Sequence, residues 1–311
     1  MSGLLDAIDP KRRWMRRFGV LTFVVLLAGC ASSPQLPRSE VGEEVVPLPA
    51  GDEVRIGLAL GGGAARGFAH VGVIQVLEES GIRPQFVVGT SAGSLVAAMY
   101  ASGMQGARLK QEAVAMQEAA ITDWLLPIFN RGALKGDALA QYVNQQVQGR
   151  SIENMSLPLG IVATDLRTGE AVVFRRGNTG TAVRASSAVP GVFLPVKIGD
   201  REYVDGGLVA PVPVQQARQM GANFVIAVDI SSDPQSGETG DVFKILLQTF
   251  TIMGRSINAL ALRQADLVVR PSLKDVGSAD FAARERSIEQ GRQAMLAVLP
   301  QLRQKLSALK R

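Results

Sequence analysis

Five residues, Gly89-Thr90-Ser91-Ala92-Gly93, stand between an apolar run, Phe86-Val87-Val88, and a helix-favouring run, Ser94-Leu95-Val96-Ala97-Ala98-Met99. A G-x-S-x-G pentapeptide in this strand-turn-helix context is a nucleophile elbow, a sharp turn that lifts a serine hydroxyl onto a strained crest at a helix N-terminus. Gly89 and Gly93 let backbone and substrate approach where a Cβ would intrude. The chain is thus constrained here to a strand that feeds directly into a helix, with Ser91 as a candidate nucleophile. A Ser-His-Asp triad built on this elbow takes its histidine last in chain order, after the acid. The only histidine, His70, precedes the serine. The base must come from another residue type.

At 311 residues and 47% hydrophobic content, the chain has material for one large or two small domains around a sizeable core. Its start is different in kind. Lys11, Arg12, Arg13, Arg16 and Arg17 precede an apolar stretch from Phe18 to Leu27 that is too short to cross a bilayer as a helix, which reads as a signal peptide over 1–29. Leu27-Ala28-Gly29-Cys30 resembles the lipobox of bacterial lipoproteins, which implies cleavage before Cys30, the only cysteine, and its lipidation. Membrane attachment would then come from acyl chains, each buried CH2 contributing about 0.8 kcal/mol. Ala31 is not the aspartate that the resemblance associates with inner-membrane retention, so a bacterial lipoprotein facing the periplasm, on the outer membrane, is the expected location. Met15-Arg16-Arg17-Phe18 would also make a compact start, so translation from Met15 is an alternative to Met1. Removing 1–29, with five basic and two acidic side chains, lowers the formal net charge from +5 to +2, and nothing calls for nucleic acid. One cysteine offers no internal disulfide.

Residues 30–52, rich in Pro, Ser and Glu, read as the lipidated cysteine and a flexible tether. From Val54 to Leu60 runs a strand candidate that enters Gly61-Gly62-Gly63-Ala64-Ala65-Arg66-Gly67. Phe68, Val71, Ile74 and Leu77 then keep helical spacing as far as Gly81. With the strand at 85–89 this is a β-loop-α-β-elbow-α series, and a mainly parallel sheet covered by helices on both faces follows. Further strand candidates are 159–163, 171–174, 196–198, 224–228 and 267–269. Helical patterns occupy much of 105–119, 136–148, 211–220 and 242–264. Residues 231–240 read as a polar loop, and 284–310 as an amphipathic helix interrupted near Pro300 that docks onto the domain rather than touching a membrane.

The glycine loop admits three readings. As a dinucleotide fingerprint it fails, because the final glycine position falls on Arg66 and no strand-end acid follows at the expected distance. As a tight strand-to-helix turn it needs no ligand. As an oxyanion hole it would present backbone N–H groups at a helix start, each contributing about 2.7–4 kcal/mol of transition-state stabilisation, with Arg66 adding positive charge. For the base, Tyr203-Val204-Asp205-Gly206-Gly207 places Asp205 at the end of a strand candidate beside two glycines. An isolated aspartate, with a pKa of about 3.9, is a weak base toward serine; burial would strengthen it. A plain Asp-Gly turn is the alternative. Asp165, at another strand end, is a rival acid that a turn explains equally well. His70 reads as packing or capping locally. Residues 124–129 (Trp-Leu-Leu-Pro-Ile-Phe) pack in the core or line an acyl pocket.

Gly62-Gly63-Ala64-Ala65-Arg66-Gly67, the 89–93 elbow and Asp205-Gly206-Gly207, in this order, resemble the patatin-like phospholipases, as does the segment Arg184-Ala185-Ser186-Ser187-Ala188-Val189-Pro190-Gly191-Val192-Phe193-Leu194-Pro195 between them. The resemblance covers roughly 54–270. It implies a three-layer α/β/α patatin-like fold with a mainly parallel central sheet, a hydrolase domain over 53–275 and a helical extension over 276–311 packed on it. It also implies a Ser-Asp dyad without histidine: Ser91 as nucleophile, Asp205 as base, and the backbone around Gly62, Gly63 and Ala64, supported by Arg66, as oxyanion hole. No cofactor or metal is expected; the expected substrate is a lipid or acyl ester, hydrolysed through an acyl-enzyme. Ala64 departs from the pattern, standing where many members have a third glycine. The alternatives are a non-catalytic lipoprotein that binds lipid or a partner on the same fold, and a peptidase or small-ester hydrolase on the same dyad.

Overall fold

The computed structural model describes residues 53–118, 132–233 and 242–309. The regions expected to form a signal peptide and a tether, with Cys30, and residues 124–129 and most of 231–240 lie outside them. All described residues fall within one compact unit, 47–311.

The centre is an eight-stranded mixed sheet. Strand β1 (Ile56–Leu60) runs parallel to β2 (Phe86–Thr90) on one side and to β9 (Phe224–Val228) on the other. Beyond β9 lies β10 (Leu267–Val269), and beyond β2 lies β4 (Leu159–Asp165), both again parallel. Three antiparallel strands complete the sheet: β5 (Ala171–Phe174) and β8 (Arg201–Asp205) on β4, and β7 (Val196–Ile198) on β8. A separate parallel pair joins β3 (Gly132–Leu134) to β6 (Gly191–Phe193). This is the mainly parallel α/β/α arrangement expected from the sequence, with a core on each face of the sheet.

Side-chain alternation explains the layers. Every residue of β1 and β9 is buried, as expected of strands covered on both faces. Leu58, Leu60, Val87, Ile226 and Val228 enter one core with α1 (Ala69–Glu79) and α2 (Ala92–Ala101). Their neighbours Ala59, Val88, Val225 and Ala227 enter the other, against α6 (Val214–Gln219). Helices α3 (Gly106–Ala115) and α4 (Asp137–Gln146) follow the spacing read from the sequence. The short β3, β6 and α5 (Thr179–Ser186) have no strong periodicity and were not anticipated.

The last helix, α8 (Arg284–Ala308), packs along α1. The two cross backbone to backbone: a Cβ on Gly72 would lie 1.9 Å from the Ile288 carbonyl oxygen, and one on Gly291 1.9 Å from that of Ala69. Arg292 closes the crossing with two hydrogen bonds to Glu79, 2.7 and 3.0 Å. The expected interruption at Pro300 does not occur. Proline removes one helical N–H and crowds the preceding turn, but Met295 and Leu302, both fully buried, hold the helix against the domain on either side of it.

Candidate active site

Strand β4 assembles the site. Thr90, the last residue of β2, is in register with Val162, and Asp205, the last of β8, with Ala163. Consecutive positions on one strand therefore hold the ends of two others, and the residue after Thr90 is Ser91. This register brings the Ser91 side chain close enough to the Asp205 carboxylate to favour its ionised form.

Ser91 caps α2 with φ 53° and ψ −125°, a backbone state that costs a residue with a Cβ about 1–3 kcal/mol. Its surroundings hold it there. The Ser94 N–H (2.8 Å) and Ser94 hydroxyl (2.6 Å) donate to the Ser91 carbonyl. The Ser91 N–H donates to Ser186 Oγ at 2.8 Å, and that hydroxyl donates to the Val162 carbonyl. The flanking glycines are required by contact: a Cβ on Gly89 would lie 2.3 Å from the Gly93 carbonyl oxygen, and one on Gly93 2.2 Å from that of Leu60. Ser186 belongs to the Arg184–Pro195 segment, whose resemblance by itself gives it no role. Its signal, a serine among small residues far from the elbow, has meaning only once α5 is docked on β4.

Asp205 is only 6% exposed. Burial pushes its pKa from 3.8 up to about 6, against the Ser91 side chain and the hydrogen bond from the Gly207 N–H. The Gly207 bond is 2.6 Å. The aspartate backbone is fixed as well: its N–H donates to Ala188 O (3.0 Å), and its carbonyl accepts from Thr164 Oγ1 (2.8 Å). Gly206 lies against the Val162 carbonyl. The carboxylate is therefore positioned, desolvated and a stronger base than a free aspartate.

His70 is turned elsewhere. It is fully buried, its Nε2 lies 2.8 Å from the Gly61 carbonyl, and burial pushes its pKa down to about 4. The neutral ring donates through Nε2–H, which fastens α1 to the glycine loop. Asp165 accepts from the Arg167 and Thr168 N–H groups and pairs with Arg201 at 2.8 Å; it is a turn residue with its own cation.

The glycine loop lies against the nucleophile, since a Cβ on Gly62 would be 3.2 Å from Ser91 Cβ. Two expectations change here. The Gly62 N–H donates to Pro211 O at 2.9 Å, so this amide is committed to the fold and the loop's candidate donors contract to Gly63 and Ala64. Neither of those amides has an acceptor among the described residues, and Ala64 adopts φ 50°, the left-handed state that favours the glycine it replaces. Arg66 does not face the serine. Its Nε donates to Ile230 O at 2.9 Å, burial lowers its pKa with Asp229 opposing, and it lines a separate polar cavity of about 530 Å³ with Asp229 and Arg270. The reason is direction: the 3-10 turn Ala64–Phe68 points this side chain toward the end of β9, where it acts as a strut. The first amides of α2, Ala92 and Gly93, are also without acceptors among the described residues. The elbow itself signals Ala92, because the residue after such a nucleophile commonly supplies a donor.

Ser91 opens onto a cavity of about 310 Å³ whose walls include Phe68, Leu95, Met99, Leu139, Phe193 and Phe281. Phe68 and Phe281 meet edge to face, with centroids 5.9 Å apart. A hydroxyl and free amides at the mouth of an apolar cavity suit a ligand with a polar carbonyl and a hydrocarbon tail. Among the described residues no cluster of three His, Cys, Asp or Glu side chains could hold a metal.

Comparison with known proteins places this geometry in context. Residues 58–218 match the sequence profile of the family described as Patatin-like phospholipase. An uncharacterized NTE family protein of Mycobacterium bovis is 34% identical over 223 residues, 69% of this chain and 61% of that protein. Patatin-like phospholipase domain-containing protein 6 of Homo sapiens is 34% identical over 189 residues, 58% of this chain and 14% of that protein. The chain thus spans about three fifths of the mycobacterial relative and a small part of the human one. Among solved structures, VipD from Legionella pneumophila superposes with a TM-score of 0.54 at 14% identity, over 81% of this chain and 67% of that one, a likeness of fold alone.

Proposed function

The chain belongs to the patatin-like phospholipase family, and from that premise we propose that it is a lipid acyl hydrolase in which Ser91 is the nucleophile and Asp205 the general base. The observation that carries this reading is the register of β4, which brings the end of β8 beside the elbow, so that Ser91 faces a buried aspartate whose pKa is pushed up to about 6. Asp205 takes the hydroxyl proton as Ser91 Oγ attacks the acyl carbonyl. The tetrahedral oxyanion is held by the amides of Gly63 and Ala64, joined by Ala92 at the N-terminus of α2. The ester bond then breaks, the protonated Asp205 returns its proton to the departing alcohol, and water hydrolyses the acyl-enzyme with Asp205 again as base. The acyl chain occupies the apolar cavity beside Ser91. The site and the family support an acyl ester as the bond cleaved, with phospholipid, lysophospholipid, acylglycerol and thioester as the candidate substrates.

The N-terminal pattern extends the proposal to location. A chain cleaved before Cys30 and acylated there would be held at the periplasmic face of a bacterial outer membrane, close to lipid substrate. Incorporation of labelled palmitate that is lost in Cys30→Ser supports the anchor; incorporation that persists overturns it.

The activity is tested with a fluorescent fluorophosphonate and peptide mapping, followed by fatty-acid release from phospholipid and lysophospholipid vesicles. Labelling at Ser91 that is abolished by Ser91→Ala and suppressed by Asp205→Asn is the expected result. Folded protein that takes no label would make the site a lipid-binding cavity without turnover.

A further inference from the structure

Helix α7 (Val242–Ala261) is packed unlike α1 or α8. Ile245, Leu246, Ile252, Met253 and Leu260 are between 38% and 65% exposed. Positions 246, 253 and 260 are seven apart, as are 245 and 252, so these side chains form one apolar stripe along the helix. The helix is nevertheless fixed to the domain. Asn258 is buried, accepts from the Val212 N–H at 3.1 Å and donates to Ser231 Oγ at 2.7 Å. The helix also packs on the turn Gly206–Leu208 that directly follows Asp205. The helix therefore lies beside the site, with its stripe facing outward.

The charge around the stripe identifies its occupant. Residues 242–265 contain Lys244, Arg255 and Arg263 and no Asp or Glu; Arg255 reaches Asp233 at 3.4 Å in an exposed contact. Two copies packed stripe to stripe would offer the exposed Arg263 no carboxylate from either helix. An anionic headgroup layer complements the same surface, with the apolar side chains below it and the cations at its level. Residues Lys244–Gln264 also have the length and hydropathy of a membrane span. The buried Asn258 anchor holds the helix along the domain surface instead, so it can lie on a bilayer but not cross it.

We propose that α7 is a lipid-docking helix: its apolar stripe lies in the headgroup-acyl boundary of an anionic bilayer and brings the Asp205 side of the site to that surface. This contact is separate from any acyl group on Cys30. It deepens the reading of a lipid substrate, and it is measured by binding without turnover, so failure of one does not imply failure of the other.

The test uses the full chain with Cys30→Ser, which leaves no native thiol, and a nitrobenzoxadiazole dye on a single cysteine placed at Met253. Leu260→Cys is a second dye position on the stripe, and Arg83→Cys, exposed before β2 at the opposite end of the sheet, is a control. With phosphatidylcholine vesicles containing phosphatidylglycerol, the dyes at 253 and 260 should shift to the blue and become shielded from an aqueous quencher, and the dye at 83 should do neither. The shift should be severalfold smaller with phosphatidylcholine alone. No shift at either stripe position, or equal shifts at all three, overturns the proposal. A blue shift that grows with protein concentration in the absence of vesicles also overturns it, in favour of a second copy.

Discussion

Asp165 and Asp205 end two paired antiparallel strands, β4 and β8, and are 0% and 6% exposed, yet they are in opposite electrostatic states. Burial alone raises the pKa of both. At Asp165 it is outweighed by the Arg167 N–H, the Arg201 guanidinium and the Thr168 N–H, and the pKa falls below the ordinary aspartate value. At Asp205 the partners are a serine hydroxyl and one glycine N–H, burial prevails, and the pKa rises to about 6. One carboxylate is stabilised as an anion that closes a turn. The other is kept costly as an anion, which makes it reactive toward the proton of Ser91. Being a buried aspartate at a strand end does not define a base; the missing cation does.

The same substitution should therefore act in opposite directions at the two sites. Asp205→Asn removes the base and is expected to lower kcat/KM about 100- to 10,000-fold, measured on a lipid or short-chain ester. It should also raise stability at pH 7 by about 2–3 kcal/mol, because it removes the ionisation cost of a pKa raised by about two units. Asp165→Asn should instead lower the thermal midpoint, by about 4–8 °C if the hydrogen bonds lost to the anion amount to about 2 kcal/mol, with turnover per folded molecule retained. A destabilised Asp205→Asn protein would break the comparison, since inactivity would then follow from a damaged fold.

Acid sharpens it further. Because the folded pKa of Asp205 is raised, its destabilising contribution appears as pH rises from about 3.8 to about 6 and is constant above that. Asp165, with a depressed pKa, contributes stability above the unfolded aspartate value and loses it as pH falls through the folded one. In activity, kcat/KM should fall tenfold per pH unit below about 6. Arg201→Met should leave that limb in place, because Arg201 serves Asp165. A limb that moves with Arg201→Met would show that the two carboxylates titrate together.

What could be read in advance followed from how local each feature is. The elbow and its flanking strand and helix runs are contained in fourteen residues, 86–99, and its glycines announce a crowding that the structure contains at Gly89 and Gly93. The alternation of Leu58 and Leu60 with Ala59 already describes a strand covered on both faces. Contacts set by register were not legible. Nothing near Gly62 reveals that Pro211 takes its amide, and nothing near Arg66 reveals that Ile230 lies within reach. The two amphipathic helices show the same limit. Both patterns predict helices, apart from the interruption near Pro300 that α8 does not show, but α8 finds glycine-lined contact on α1 while α7 keeps its apolar stripe exposed. Periodicity says that a helix has an apolar face, and only the tertiary structure says what that face meets.

Ser186 offers a smaller test of how the Ser91 side of the pair is held. Ser186→Ala leaves the Ser91 N–H without its 2.8 Å acceptor and the Val162 carbonyl without its donor. An unsatisfied buried donor costs about 1–3 kcal/mol, and Ser91 already holds a strained φ of 53°, so the elbow should relax first. The expected result is a fall in kcat of about tenfold, with the acid limb still near 6 because Asp205 keeps its surroundings. A limb shifted toward ordinary aspartate values would instead mean that loss of Ser186 admits water to Asp205.

The smallest expected effect lies at Ala64, whose φ of 50° is carried by a residue with a Cβ. Relieving that strain gains about 1–2 kcal/mol, and the added freedom of glycine in the unfolded chain returns about 0.5–1 kcal/mol. Ala64→Gly should therefore stabilise the protein by about 0.5 kcal/mol in denaturant unfolding. Neither amide of the Gly63-Ala64 pair has an acceptor among the described residues, so no ground-state hydrogen bond is lost in the exchange. If the variant is less stable than the parent, the loop is not held in the left-handed state at this position, and the assignment of the Ala64 amide to the oxyanion goes with it.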